Sequence, residues 1–156
     1  MSKINVVLYQ PEIPQNTGNI ARLCASAGAT LHLIHPLGFF LRDKHLKRAG
    51  LDYWDQVDIR NYDSLDKFFD AFPSGNFAFI TKFGQKMYDE IQADRETFLI
   101  FGRETEGLPE EIRQTHQDRC FRIPMKKEAR SLNLANAVAV VVYDTLRRTG
   151  FRELSK

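Results

Sequence analysis

INVVLYQPEIPQNTGNIARLCASAGATLHLI, residues 4–34, decides the fold of this chain. Ile4–Tyr9 is a short apolar run rich in β-branched residues, the pattern of a buried strand. PEIPQNTG, residues 11–18, is punctuated by two prolines and a glycine and reads as a loop. From Thr17 the apolar residues Ile20, Leu23, Cys24 and Ala27 recur at helical spacing, and Gly28 is a good helix stop. Thr30–Ile34 is a second buried strand. Strand, helix and strand in this order predict a parallel pair with a helical crossover.

The same alternation continues outward. Residues 56–60, 77–81, 97–101 and 119–123 read as four more strands. Asp63 or Ser64 can cap a helix carrying Leu65, Phe68, Phe69 and Phe72. Pro109 suits the first turn of a helix reaching about Thr115, and a last helix spans about residues 131–149, with Gly150 beyond it. The expected architecture is α/β, a mainly parallel sheet with helices on both faces, in one domain covering residues 1–156.

With 156 residues the chain can bury a core without a disulfide or a structural metal. A hydrophobic share of 43% and a charged share of 27% are ordinary for a globular protein, and a net charge of +2 leaves nucleic acid possible through a local basic patch. Cys24 and Cys120 have no CxxC spacing, which suits a reduced cytoplasmic setting. His32, His35, His45 and His116 lack ligand spacing beyond one His-x-x-His, so no metal is expected. The start MSKINVVLYQ is too short an apolar run for a signal peptide, and the longest apolar stretch, near Leu134–Tyr143, is about half a membrane span.

Three loops carry unusual chemistry. In open parallel sheets ligands bind beyond the carboxyl ends of the strands, where these loops lie. The first, Pro14-Gln15-Asn16-Thr17-Gly18-Asn19, enters a helix carrying Arg22. It is either a helix cap with a solvated arginine, or an anion site in which free N–H groups and Arg22 share one ligand. The second, Gly102-Arg103-Glu104-Thr105-Glu106-Gly107-Leu108-Pro109, follows the strand FLIF. Gly102 would let a ligand approach the backbone, and Glu104 would accept from a ribose, an amine or a neighbouring loop. An ordinary strand-to-helix turn with solvated glutamates is the alternative.

The third loop runs through Ile123-Pro124-Met125 and the basic stretch Lys126-Lys127-Glu128-Ala129-Arg130 to Ser131-Leu132-Asn133. The helix after it is apolar nearly all round and reads as buried, which makes Ser131, Asn133 and Asn136 at its mouth conspicuous. Tyr143 is remote from that mouth along the helix and reads equally well as a core tyrosine with a paired hydroxyl or as a functional one. Arg42, Lys44, Lys47 and Arg48 cluster beside Tyr53 and Trp54, a composition that suits single-stranded RNA or a plain solvated face.

In this order the three loops resemble the three motifs of the SPOUT class of RNA methyltransferases, in its 2'-O-ribose branch. PEIPQNTGNIARLC is similar to the first motif, LIFGRETEGLP to the second and IPMKKEARSLNLANAVAVVVYD to the third. HPLGF and RAGLDYW are similar to the bacterial branch that modifies tRNA nucleotide 34. The resemblance runs from about Ile4 to Gly150. Arg103 stands where Pro or Asn is commoner, and Ala135 where Ser is frequent.

The resemblance implies a deep C-terminal trefoil knot, although threaded connections are nearly absent from proteins in general. It implies a homodimer, S-adenosylmethionine (SAM) as methyl donor with S-adenosylhomocysteine as product, and the tRNA anticodon stem-loop as partner, with no membrane and no metal. The expected reaction methylates the ribose 2'-hydroxyl of C or modified U at position 34, in leucine tRNAs. Matching positions make Arg22, Asn16, Glu104, Ser131 and Asn133 the catalytic group. They make Ile80, Thr81, Gly102, Gly107, Ile123, Ser131 and Leu132 the cofactor pocket. RNA binding is expected at Arg42, Lys44, Lys47, Arg48, Lys126, Lys127 and Arg130. A guanidinium stays protonated far above neutral pH, so Arg22 is read as a phosphate grip rather than a base. The alternatives are an enzyme of the same class acting elsewhere on tRNA or rRNA, and an RNA-binding factor of the same fold without chemistry.

Overall fold

The computed structural model describes residues 3–155, apart from the side chains at positions 47 and 49–52. Seven strands form one sheet: β1 (Ile4–Tyr9), β2 (Thr30–Ile34), β3 (Ile59–Tyr62), β4 (Asn76–Ile80), β5 (Lys86–Met87), β6 (Thr97–Phe101) and β7 (Cys120–Arg122). Their spatial order is β3-β2-β1-β6-β4-β7-β5 and every pairing is parallel. β1 lies inside the sheet, with Val6 opposite Leu31 on one side and Leu99 on the other.

Side-chain parity divides the core into two layers. Val6, Leu8, Leu31, Leu33, Leu99 and Phe101 face α1 (Pro14–Ala27) and α5 (Leu134–Arg148), where Ile20, Cys24, Val138, Val141 and Val142 meet them. Val7, Ile34, Phe79, Phe98 and Ile100 face the other way, against Leu65 and Phe68 of α3 (Leu65–Ala71) and against Leu108 just before α4 (Glu110–Thr115). Helices therefore cover both faces. Each fully buried aliphatic side chain contributes about 1.5–3 kcal/mol of transfer free energy, which makes β1 and α5 dominant stabilising elements.

Several boundaries depart from the sequence reading. α1 begins at Pro14, not Thr17, because proline at the first helical position sacrifices an N–H that has no intrahelical partner anyway. The third strand is Ile59–Tyr62 rather than 56–60. Lys44–Trp54, which reads in the sequence only as a basic cluster, is a helix, α2, capped by the Asp43 carboxylate, which accepts from the His45 amide at 2.8 Å. α5 starts at Leu134, with Asn133 as its cap, so Ser131 lies in the preceding loop. α5 is also not buried all round, since Val140 and Tyr143 are exposed.

One polar chain crosses the core. His32 has 0% exposure. Its Nε2 donates to Asn5 Oδ1 at 2.8 Å and its Nδ1 accepts from the Tyr62 hydroxyl at 2.9 Å, a tautomer set by Asn5 Nδ2 donating onward to Glu96. Both ring nitrogens are thus spent, which removes His32 from any ligand role in the His-x-x-His pair. Among the described residues no group of three or more His, Cys, Asp or Glu side chains is placed to hold a metal ion. Burial holds the imidazole neutral and pulls its pKa from 6.5 to about 4. The unfolded chain therefore binds the extra proton first. The stabilisation is complete above about pH 6.5, declines as pH falls and is gone near pH 4, a loss of about 3 kcal/mol. The His32 ring resonances should stay unshifted from pH 8 to about pH 5, and a midpoint near 6.5 would contradict this account.

Candidate active site

The three loops converge at the carboxyl ends of β1, β4, β6 and β7. The second loop turns on itself: Arg103 and Gly107 exchange backbone hydrogen bonds of 3.2 and 3.0 Å, with Gly107 at a φ of +66°. Gly102 is needed for that turn. A Cβ there would lie 2.2 Å from the Gly107 carbonyl carbon. The close approach expected of a ligand at Gly102 is thus made by the loop's own backbone.

Glu104 on this loop reaches the first motif. Its carboxylate accepts from the amides of Glu12 at 2.9 Å and Ile13 at 2.7 Å, and more distantly from Asn16 Nδ2 at 3.4 Å. Ile13 is the cap position of α1 and supplies no capping side chain, so Glu104 is the anion at the positive end of that helix. It occupies the place that the sequence alone offers to a ligand phosphate. Glu12 returns the contact by accepting from the Thr105 hydroxyl at 2.7 Å and the Thr105 amide at 3.0 Å. Those two donors hold the Glu12 carboxyl below its usual range. The Glu12–Thr105 pair has no signal in the sequence, because nothing in the spacing joins residues so far apart.

The third loop closes the arrangement. Asn133 caps α5 by accepting from the Asn136 amide at 3.2 Å, and its Nδ2 donates to Asn16 Oδ1 at 3.1 Å. Asn16, 6% exposed, therefore links all three motifs.

On one side of this asparagine pair lies a cavity of about 550 Å³. Its walls include every residue expected to hold the cofactor: Ile80, Thr81, Gly102, Gly107, Ile123, Ser131 and Leu132. Lys82, Phe83, Arg103, Arg113 and Met125, none of them expected there from the sequence, also line it. The Arg113 guanidinium lies 4.1 Å from the Phe83 ring centroid. Arg103 pairs with Glu106 at 3.0 Å, while its buried Nε has no partner among the described residues. Apolar walls with a few convergent polar groups are the usual makeup of a small-molecule site, and the size is in range.

On the other side lies an open groove lined by Asn19, Arg22, Asn136 and Tyr143. Asn16 and Asn133 line both the cavity and the groove and so form the ridge between them. Arg22 does not share the anion at the start of α1. Its guanidinium sits over the Tyr53 ring of α2 at 4.9 Å, and no carboxylate lies in ion-pair range of it among the described residues. Tyr143, for which a core position is one of two readings of the sequence, is 39% exposed in this groove.

The expected RNA contacts separate into two places. Arg42, Lys44 and Arg48 are exposed on α2 and the loop before it, and the Lys47 side chain lies outside the described residues. Lys126, Lys127 and Arg130 are exposed on the third loop, where Arg130 lines the cavity rather than a separate surface.

Known proteins share this sequence and fold. Residues 3–143 match the sequence profile of the SpoU rRNA Methylase family. A Bacillus subtilis (strain 168) protein provisionally named tRNA (cytidine(34)-2'-O)-methyltransferase is 54% identical over 154 residues, 97% of this chain and 96% of the relative. A solved structure described as giving insights into the 2-OH methylation of C/U34 on tRNA superposes with a TM-score of 0.90 at 46% identity, covering 96% of this chain and 98% of that one. The fold alone is shared with the SpoU methyltransferase AviRb from Streptomyces viridochromogenes in complex with AdoMet, at a TM-score of 0.84 and 24% identity over 95% of this chain and 58% of that one. With a family match spanning nearly its whole length, and a fold and loop geometry to go with it, this chain belongs to the SpoU rRNA methylase family of RNA methyltransferases.

Proposed function

We propose that this chain methylates the ribose 2'-hydroxyl of C or modified U at position 34 of tRNA, with SAM as the methyl donor. The observation that carries this reading is the ridge of Asn16 and Asn133, which sets a half-open cavity directly beside a shallower groove containing Arg22. A methyl donor on one side and an RNA ribose on the other would meet across it.

The residues present fit the donor. Ile80, Ile123 and Leu132 offer apolar walls, and Thr81, Ser131 and the loop backbone at Gly102 and Gly107 offer polar contacts. SAM supplies a methyl carbon made electrophilic by its sulfonium, so the protein's task is mainly positioning. Arg22 has its N–H donors unspent and grips the phosphate beside the target ribose, where its charge favours the developing alkoxide. Glu104 has both carboxylate oxygens committed to α1, so it shapes the site instead of taking the proton.

The rest of the reading is structural. The chain must return from β7, beyond β6 and β4 in the sheet, to place α5 against α1, a return that a C-terminal trefoil knot would thread past loop 102–108. Val140 is an exposed apolar side chain on α5 that a second copy would cover in a homodimer. No helix among the described residues is long and apolar enough to cross a membrane. The proposal takes the chain as one domain, acting in the cytoplasm on the tRNA anticodon stem-loop.

Nucleoside mass spectrometry of tRNA from a deletion strain tests the reaction. Loss of 2'-O-methylation at nucleotide 34 of leucine tRNAs, restored by the gene on a plasmid, is expected, and an unaltered profile overturns the proposal. Replacing Arg42, Lys44 and Arg48 together with alanine should flatten the slope of log Kd for tRNA against log salt by about 2 to 3, at roughly 0.9 or less for each phosphate no longer neutralised. An unchanged slope would place the RNA elsewhere.

A further inference from the structure

We infer that Tyr53 is a positioning residue for the reaction: the face of its ring holds the Arg22 guanidinium in the groove. This rests on the role of Arg22 proposed above. Arg22 projects from α1 as an exposed side chain, and its guanidinium carbon lies 4.9 Å from the centroid of the Tyr53 ring on α2. That is well inside the range at which a cation is attracted to an aromatic face. No hydrogen bond or ion pair engages the guanidinium among the described residues.

The choice of an aromatic partner matters chemically. A carboxylate would also hold Arg22, but it would consume N–H donors and neutralise the charge that a phosphate is to meet. A ring face does neither. The guanidinium carries five N–H donors, and a ring face attracts its charge without supplying an acceptor oxygen that would spend them. The attraction also strengthens once water is displaced, as it would be when RNA covers the groove. Tyr53 belongs to the same helix as the exposed Lys44 and Arg48. One helix would then meet the RNA backbone and hold the arginine that acts on it.

The test uses the full-length enzyme, labelled SAM and total tRNA from the deletion strain. Tyr53→Leu keeps apolar bulk but has no π face. It should lower kcat about ten-fold while leaving SAM affinity by calorimetry within about two-fold. Tyr53→Phe should stay within about two-fold of wild type. In an Arg22→Ala background, Tyr53→Leu should cause no further loss. Should the leucine variant fold poorly, phenylalanines bearing one, two and three fluorines at position 53 weaken the π face at nearly constant shape, and log kcat should fall stepwise along that series.

The inference is overturned if the fluorine series is flat, if Tyr53→Phe loses as much as Tyr53→Leu, or if the leucine effect is equally large without Arg22. A rise in KM with kcat unchanged would make Tyr53 an RNA contact, which also overturns it. If Arg22→Ala is inactive while Tyr53→Leu behaves as wild type, this inference alone falls. If Arg22→Ala keeps wild-type turnover, the role assigned to Arg22 falls first.

Discussion

Replacing Arg22 with alanine lowers kcat for tRNA methylation by about 100- to 1,000-fold and leaves SAM affinity within about two-fold, because the arginine acts on the RNA side of the site. Arg22 lines the groove and not the cavity, so the loss should not spread to the cofactor. The size follows from what is removed: a charge-assisted grip on the phosphate, and with it the alignment of the 2'-hydroxyl. Misplacement of a reacting group by about 1 Å can by itself cost about 100-fold. Arg22→Lys should recover little, since an ammonium cannot grip a phosphate with a two-donor fork and is more strongly hydrated. Single-turnover kinetics at saturating tRNA separate the chemical step from binding. Wild-type rates in the lysine variant would show that only a positive charge is required, and an Arg22→Ala effect confined to SAM binding would reverse the assignment of the two compartments.

Gly102→Ala is the second substitution expected to have a large effect, and its cause is steric. The new Cβ would sit 2.2 Å from the Gly107 carbonyl carbon and 2.3 Å from the Leu108 nitrogen. Both are backbone atoms, so no rotamer change relieves the clash and the Arg103–Gly107 rung must open. Overpacking of this kind costs about 1–3 kcal/mol. The functional loss should exceed the stability loss, because the displaced loop carries Glu104, which caps α1, and Thr105, which binds Glu12. A fall in Tm of about 5 °C is expected, together with a SAM Kd at least about ten-fold weaker. A variant with wild-type Tm and Kd would mean that the loop has room the geometry denies it.

Much of the site is legible along the chain. Asn16, Gly102, Glu104 and Asn133 stand out because each is a polar or glycine residue where a strand gives way to a helix, a place where ordinary packing does not call for it. The residues that the motif resemblance assigns to the cofactor all line the same cavity. What cannot be read is which of these groups satisfies which. In the sequence Glu104 is open to a ribose, an amine or a loop, and only the juxtaposition of β1 and β6 hands it the amides of Glu12 and Ile13. The helix α2 is missed for a different reason: Leu46, Ala49, Tyr53 and Trp54 do stand at helical spacing, but its basic residues draw the reading to a solvated face. The position of Tyr143 is left open by the sequence pattern, because an apolar helix need not be covered on every side by its own chain.

The order of strands and helices, the apolar runs that must be buried from both faces, and the composition of the three loops were determined by the sequence, because periodicity and turn chemistry act over a few residues at a time. The tertiary structure alone decided that Glu104 serves as the anion of α1, that Gly102 makes room for Gly107, and that Arg22 lies over Tyr53 in a groove set apart from the cavity by a ridge of two asparagines. Those contacts join residues about thirty to over a hundred positions apart, except within the second loop. Their partners are chosen by strand order and helix packing, and no local pattern in the chain encodes that choice.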